Sequence, residues 1–321
     1  MCYSAMIQAD YQKFVRHHGA IMSLEDFARN VWAAPDRARK RRRPKAMEDW
    51  LRLSDEPRAQ QIWGEILRQR AERELELQEE LFKQKRRLAD AERALLTKTT
   101  KKAEEDRRIS TDKIGKLKID LDDLQRVEPK VRDARFFPGN YAPVIVIEDG
   151  RRVVKPMRYQ CRLPGWTEAV ERKYPRTYNA RRDSLGKAWR ELFGVRHGII
   201  VLTSFYENVE KHNLEHRDLA AGEESQNVVL EFRPEPVHDM LVACLWNASP
   251  EGDEELLSFA VITDEPTPEI AAAGHDRAII ELSARNIDAW LTPEHRTHVE
   301  LGEILDERPE VAYQHKVAAA A

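Results

Sequence analysis

Apolar residues recur along the chain with two different periods, and the change from one to the other falls near residue 131. Between residues 56 and 128 the period is helical. Leu67, Leu81, Leu88 and Leu95 sit at multiples of seven, with Glu74 interrupting the series, and Ile114, Leu117, Leu121 and Leu124 keep a 3-4-3 spacing. Long amphipathic helices gather one apolar face in this way. No proline follows Pro57 in that stretch, and the polar run 97–102 separates the two patterns. The spacing predicts a helical hairpin, with one long dimerising helix as the rival arrangement.

After residue 131 the runs shorten. Residues 141–147 form the first strand candidate, closed by the turn signal Glu148-Asp149-Gly150, and 152–155, 198–203, 227–232, 240–246 and 258–263 follow. Residues 278–282 read as extended, and 286–291 and 293–305 as helical. Nearer the start, Ser23 is a good N-cap, with Glu25 and Asp26 placed where the helix dipole favours acids. The expected fold class is therefore α+β, a β-rich core carrying a long helical insertion.

Charge changes the picture more than composition does. Charged residues make up 34% and the net charge is only −3, yet residues 1–130 hold 30 Lys and Arg against 24 Asp and Glu, residues 131–200 hold 15 against 7, and residues 201–321 hold 8 against 25. Polyanion binding fits the first two stretches and not the third. Arg37, Arg39, Lys40, Arg41, Arg42, Arg43 and Lys45 form a basic run bracketed by Pro35 and Pro44, which predicts a loop or a helix end. It serves either as a solvated loop or as a source of nonspecific DNA affinity through counterion release.

Three cysteines, Cys2, Cys161 and Cys244, are too few and too scattered for a zinc cluster or a disulfide framework. A reduced, cytoplasmic protein with no metal and no cofactor is expected. No run approaches the roughly 20 apolar residues of a membrane helix, and no signal peptide is apparent. P-loop, dinucleotide-binding, HExxH and GxSxG patterns are absent.

Cys2 carries distinctive chemistry. Removal of Met1 is expected because the second side chain is small, and it leaves an N-terminal cysteine whose amine and thiol form a 1,2-aminothiol. Such a pair attacks an aldehyde twice, through nitrogen and then sulfur, and closes a five-membered thiazolidine. The amine, with a reference pKa of roughly 7.7–8.0, is partly unprotonated near neutrality, and the thiol is activated by a basic surrounding.

Several separated segments accompany Cys2. They are Met1-Cys2-Tyr3-Ser4; Asn140-Tyr141-Ala142-Pro143; Met157-Arg158-Tyr159 with Leu163-Pro164-Gly165-Trp166; and Asn179-Ala180-Arg181-Arg182-Asp183-Ser184. Ser204-Phe205-Tyr206-Glu207, Ala243-Cys244-Leu245-Trp246, Val261-Ile262-Thr263 and Gly274-His275-Asp276-Arg277 complete the series. In order and spacing this set resembles the SOS response-associated peptidase (SRAP) family, whose members shield abasic sites in single-stranded DNA. The resemblance covers residues 1–20 and about 131–300. Tyr3 and Ser4 stand where the family usually has Gly and Arg, Asn208 follows Glu207 where it has Trp, and Ala278-Ile279 replaces its Met-Pro.

The resemblance implies an SRAP-like domain of residues 1–20 and 131–305, a basic and helical insertion at 21–130, and a C-terminal tail at 306–321. It implies catalytic roles for Cys2 as nucleophile, Glu207 as general acid–base, His275 as a partner polarising the opened sugar, and Asn179 as an orienting amide. A carboxyl at 207 beside Phe205 and Tyr206 would have a raised pKa. Arg158, Arg181 and Arg277 become DNA contacts, and Trp166 a stacking residue, because guanidinium matches phosphate geometry and an aromatic ring stacks on a base. The implied activity is a covalent crosslink to single-stranded DNA at an abasic site. Two other readings stay open. One is cysteine peptidase action, for example autoproteolytic. The other is a non-catalytic scaffold that self-associates or binds a partner protein through the helical insertion.

Overall fold

The computed structural model describes residues 3–10, 17–32 and 42–318. The chain divides into two compact units, Met1–Ser54 with Val131–Ala321, and Asp55–Lys130. Arg37, Arg39, Lys40 and Arg41 of the basic run lie outside the described residues, as does Cys2.

The first unit opens with β1 (Ser4–Ile7), β2 (Ile21–Met22), α1 (Leu24–Val31) and α2 (Lys45–Arg52). The Ser23 hydroxyl accepts the Asp26 N–H at 3.4 Å and so caps α1. Asp26 also meets Lys155 at 3.1 Å, and the Ser23 N–H donates to the Val154 carbonyl. Residues 21–32 and 42–54, expected within the insertion, therefore belong to the first unit.

The second unit is a helical hairpin of α3 (Pro57–Thr97) and α4 (Lys101–Gln125). Thr100 caps the start of α4 through the Ala103 N–H. Arg87 pairs with Asp106 at 2.5 Å and Gln125 donates to Glu74 at 2.6 Å, which sets the helices antiparallel. Leu77, Gln84 and Ala91, spaced by sevens, are buried along one face of α3.

The first unit resumes with β3 (Arg135–Phe136), β4 (Tyr141–Glu148), β5 (Arg151–Tyr159), α5 (Glu168–Lys173), β6 (Asn179–Arg181) and β7 (His197–Glu210). Next come α6 (Lys211–Leu214), β8 (Asn227–Glu235), β9 (Met240–Glu251) and β10 (Glu254–Asp264). The chain ends with α7 (Pro268–Ala272), β11 (Ala278–Ile279), α8 (Ile287–Leu291), α9 (His298–Asp306) and β12 (Ala312–Val317). The fold is α+β.

Pairing closes a ring. β10 joins β5 in parallel, β5 joins β4, β4 joins β7, β7 joins β9, and β9 returns to β10, all but the first antiparallel. Alternate residues Ile199, Val201, Ala243, Leu245, Ala260 and Ile262 share one apolar cluster with Trp189, Trp290 and Leu301. The intervening Ile200, Leu202, Val242, Cys244 and Val261 are buried as well. Strands buried on both faces read as continuous apolar runs, which is why these were legible in the sequence.

β7 is longer than its apolar run. Its first half belongs to the ring, and its second half is flanked by β1 and β8, with Ser4 opposite Tyr206 and Glu207 opposite Leu230. Residues 306–321, expected as a tail, instead contribute β12, which pairs with β8 along its length. Tyr313 anchors it by packing edge-on against Phe205, ring centres 5.5 Å apart.

Candidate active site

Glu207 sits on the second half of β7 and is fully buried. Strand alternation puts it on the face of Phe205 and Val209. Phe205 stacks on Phe232, ring centres 5.2 Å apart, so one wall of the site is apolar. Burial pushes the Glu207 carboxyl up to about 8, because a charge there would lose its hydration. Tyr206, expected beside it, points to the other face. There its hydroxyl donates to the Met6 sulfur at 2.9 Å, and the Arg135 guanidinium lies 3.7 Å from its ring centre.

His275 reaches Glu207 from the turn after α7. Its Nε2 is 3.4 Å from Oε2 of Glu207. The turn depends on Gly274, whose φ is +86° and at which a Cβ would come within 2.9 Å of the Asn213 Cβ and 3.1 Å of the Val209 side chain. The Nδ1 of His275 lies 2.9 Å from the Arg277 carbonyl, an acceptor only, so Nδ1 carries the proton and Nε2 presents its lone pair to Glu207. The 3.3 Å approach of the Arg277 N–H to the same Nδ1 requires the opposite tautomer and is the longer of the two. Burial holds His275 below the usual imidazole range. A carboxyl biased to its protonated form thus faces an imidazole biased to its neutral form, an arrangement suited to giving up and retaking a proton.

The start of β1 lies against this pair. The Tyr3 N–H donates to the Tyr206 carbonyl at 3.0 Å, which fixes the residue after Cys2 beside Glu207 on β7. The Arg135 guanidinium donates to the Ser4 hydroxyl at 3.0 and 3.1 Å. Arg135 thereby ties β1 to the Tyr206 ring. It is one of 53 Lys and Arg residues, and nothing in its neighbourhood of the sequence set it apart.

The other expected residues have partners of their own, and Arg277 belongs to the turn that carries His275. Asn179, buried on β6, accepts from the Tyr159 hydroxyl at 3.4 Å. Tyr159 in turn packs against Phe136 beside β1, ring centres 5.2 Å apart. Arg158 and Trp166 line a separate cleft of about 800 Å³ with Tyr141 and Ser249. Arg158 ion-pairs there with the buried Glu171, which also holds Arg162 at 3.0 Å. Trp166 is half-buried against Tyr174. Arg181 is exposed and pairs with Asp183 at 2.8 Å, and Arg277 with Asp276 at 3.6 Å. Among the described residues no cluster of His, Cys, Asp and Glu is arranged to hold a metal ion, and no helix is long and apolar enough to cross a membrane.

The sequence model of the SOS response associated peptidase (SRAP) family matches residues 93–320, well over half of the chain. The chain belongs to the SRAP family. Membership connects it, at the level of the family, with the DNA-damage response and abasic sites. The match starts inside α3 and takes in α4, which the segment-by-segment resemblance had left outside. Among solved structures, a structural-genomics target from Bordetella bronchiseptica is similar at 18% identity and a TM-score of 0.46, covering 58% of this chain and 88% of that one. One from Bacteroides thetaiotaomicron gives 17% and 0.46 over 58% and 78%, and a phage-related protein from Bordetella bronchiseptica 16% and 0.43 over 58% and 82%. No curated protein matches the chain.

Proposed function

We propose that the protein is an abasic-site sensor that joins itself covalently to single-stranded DNA through Cys2. The observation that carries this reading is the contact of His275 with the buried Glu207 on β7, the strand to which Tyr3, the residue after Cys2, is hydrogen-bonded. Chain connectivity alone keeps the Cα of Cys2 about 3.8 Å from that of Tyr3.

In the proposed reaction the Cys2 amine adds to the C1′ aldehyde of the opened sugar and gives a carbinolamine. Glu207, protonated near neutral pH, gives its proton to the hydroxyl, which leaves as water while an iminium forms. The resulting carboxylate takes the thiol proton, and the sulfur adds to the same carbon. The product is a thiazolidine, one water is released, and Glu207 regains its proton. The neutral His275 faces the protonated Glu207 through its Nε2 lone pair and orients the carboxyl. Asn179 orients the sugar, Arg181 and Arg277 contact phosphates, and Arg158 and Trp166 offer a charged and aromatic wall to the strand.

The remaining thiols support this choice of nucleophile. Cys161 is buried and its thiol is pushed up to about 12, and burial also raises Cys244 well above the ordinary value. The test is a denaturing gel of protein mixed with an oligonucleotide bearing one abasic site. A heat-stable band that requires both the lesion and Cys2 supports the proposal. A band of equal yield with Cys2→Ala removes Cys2 as nucleophile.

A further inference from the structure

We propose that α3 is a self-association helix, and that two copies of the chain pair through it, antiparallel, about an axis at Phe82. The helix has two apolar faces. Leu77, Gln84 and Ala91 lie on the buried one. Leu75, Phe82, Ala89 and Leu96 follow the same seven-residue spacing on the opposite side, and with Leu67 they fall within an arc of about 80°. Leu67 is 47% exposed, Leu75 61%, Phe82 71% and Leu96 89%. Single exposed apolar residues are ordinary. A straight row of them running about 44 Å along one helix is an interaction surface.

The charges beside the row identify a second copy as the occupant. Glu79 and Arg86 flank Phe82 on the same edge of the stripe, one turn or so to either side. Neither makes an ion pair or hydrogen bond among the described residues. In an antiparallel pair turning about Phe82, that ring meets its own copy, Leu75 meets Ala89, Leu67 comes opposite Leu96, and Glu79 meets Arg86 twice by symmetry. Glu72 and Arg93 hold corresponding positions one heptad further out, each already paired within α3, with Arg68 and with Asp90. A parallel pair would instead bring Arg86 beside Lys85 of the second copy. The Glu79–Arg86 edge of the stripe is thus complementary in charge in the antiparallel orientation.

Light scattering of the full-length protein across the micromolar range tests this. The expected result is a dimer that Phe82→Glu converts to monomer, a change at an exposed position that removes no buried contact. Arg86→Glu should weaken association roughly tenfold by setting acid against acid, and Glu79→Arg with Arg86→Glu should restore it. In a Cys2→Ala background, oxidised Phe82→Cys should give a disulfide-linked dimer and Leu96→Cys should not. A monomer throughout, a dimer indifferent to Phe82→Glu, or crosslinking at Leu96→Cys would overturn the proposal.

Discussion

The imidazole of His275 and the carboxyl of Glu207 approach within 3.4 Å, and burial favours the neutral form of each. The proton they share is held near neutral pH on the carboxyl, where an ordinary surface glutamate would have lost it. Four consequences can be measured.

The crosslinking rate should pass through a maximum near pH 8. It rises as the Cys2 amine loses its proton, with a reference pKa of roughly 7.7–8.0. Above about 8 it falls as Glu207 loses the proton it donates. Single-turnover rates from pH 6 to 10 check this, and Glu207→Gln should be slower and lack the falling limb.

Glu207 should also lower stability as pH rises. Its folded value of about 8 lies above the roughly 4.3 of an unfolded glutamate, so between those values the folded state binds the extra proton. Stability from this group is complete below the lower value and is lost by the time pH passes the upper one. Calorimetry should show the wild-type Tm falling from pH 5 to pH 8 relative to Glu207→Gln, a difference on the order of a few kcal/mol. Parallel pH dependence in the two proteins would contradict the burial argument.

Gly274→Ala should displace the His275 turn from β7, since its Cβ would press on Asn213 and Val209 in a left-handed conformation. The expected outcome is a loss of about 1–3 kcal/mol in stability and crosslinking at least tenfold slower. Affinity for undamaged single-stranded DNA should be unchanged. Thermal melts, crosslinking rates and binding isotherms separate the three.

Arg135→Met should slow crosslinking by roughly tenfold, because it removes the bonds to Ser4 that tie β1 to β7 while keeping an apolar stem over Tyr206. Arg135→Lys should rescue only part, since a point charge does not reproduce the planar donor set. The check is whether the pH maximum stays in place while the rate falls, as positioning requires.

The apolar runs at 141–147, 198–203, 240–246 and 258–263 each lie inside an observed strand, because ring strands are buried on both faces. The second half of β7 was not legible as strand. Ser204, Tyr206 and Glu207 place polar groups where burial by β1 and β8 falls, and sequence periodicity cannot anticipate partners from distant segments. β12 was missed because its outward residues are polar and a single Tyr313 anchors it. Glu207 and His275 were singled out by their motifs, and their contact was not foreseen, since it depends on the Gly274 turn. Arg135 and the Glu171 cluster gave no sequence signal because their partners are far apart along the chain.

Mass spectrometry of the purified crosslink tests the central claim most directly. The protein is reacted with an abasic oligonucleotide without any reductant, digested, and the linked peptide identified. The account predicts a peptide that begins at Cys2, lacks Met1, and carries the opened sugar with loss of one water. Attachment at a lysine, or a link formed with Met1 still in place, would contradict it.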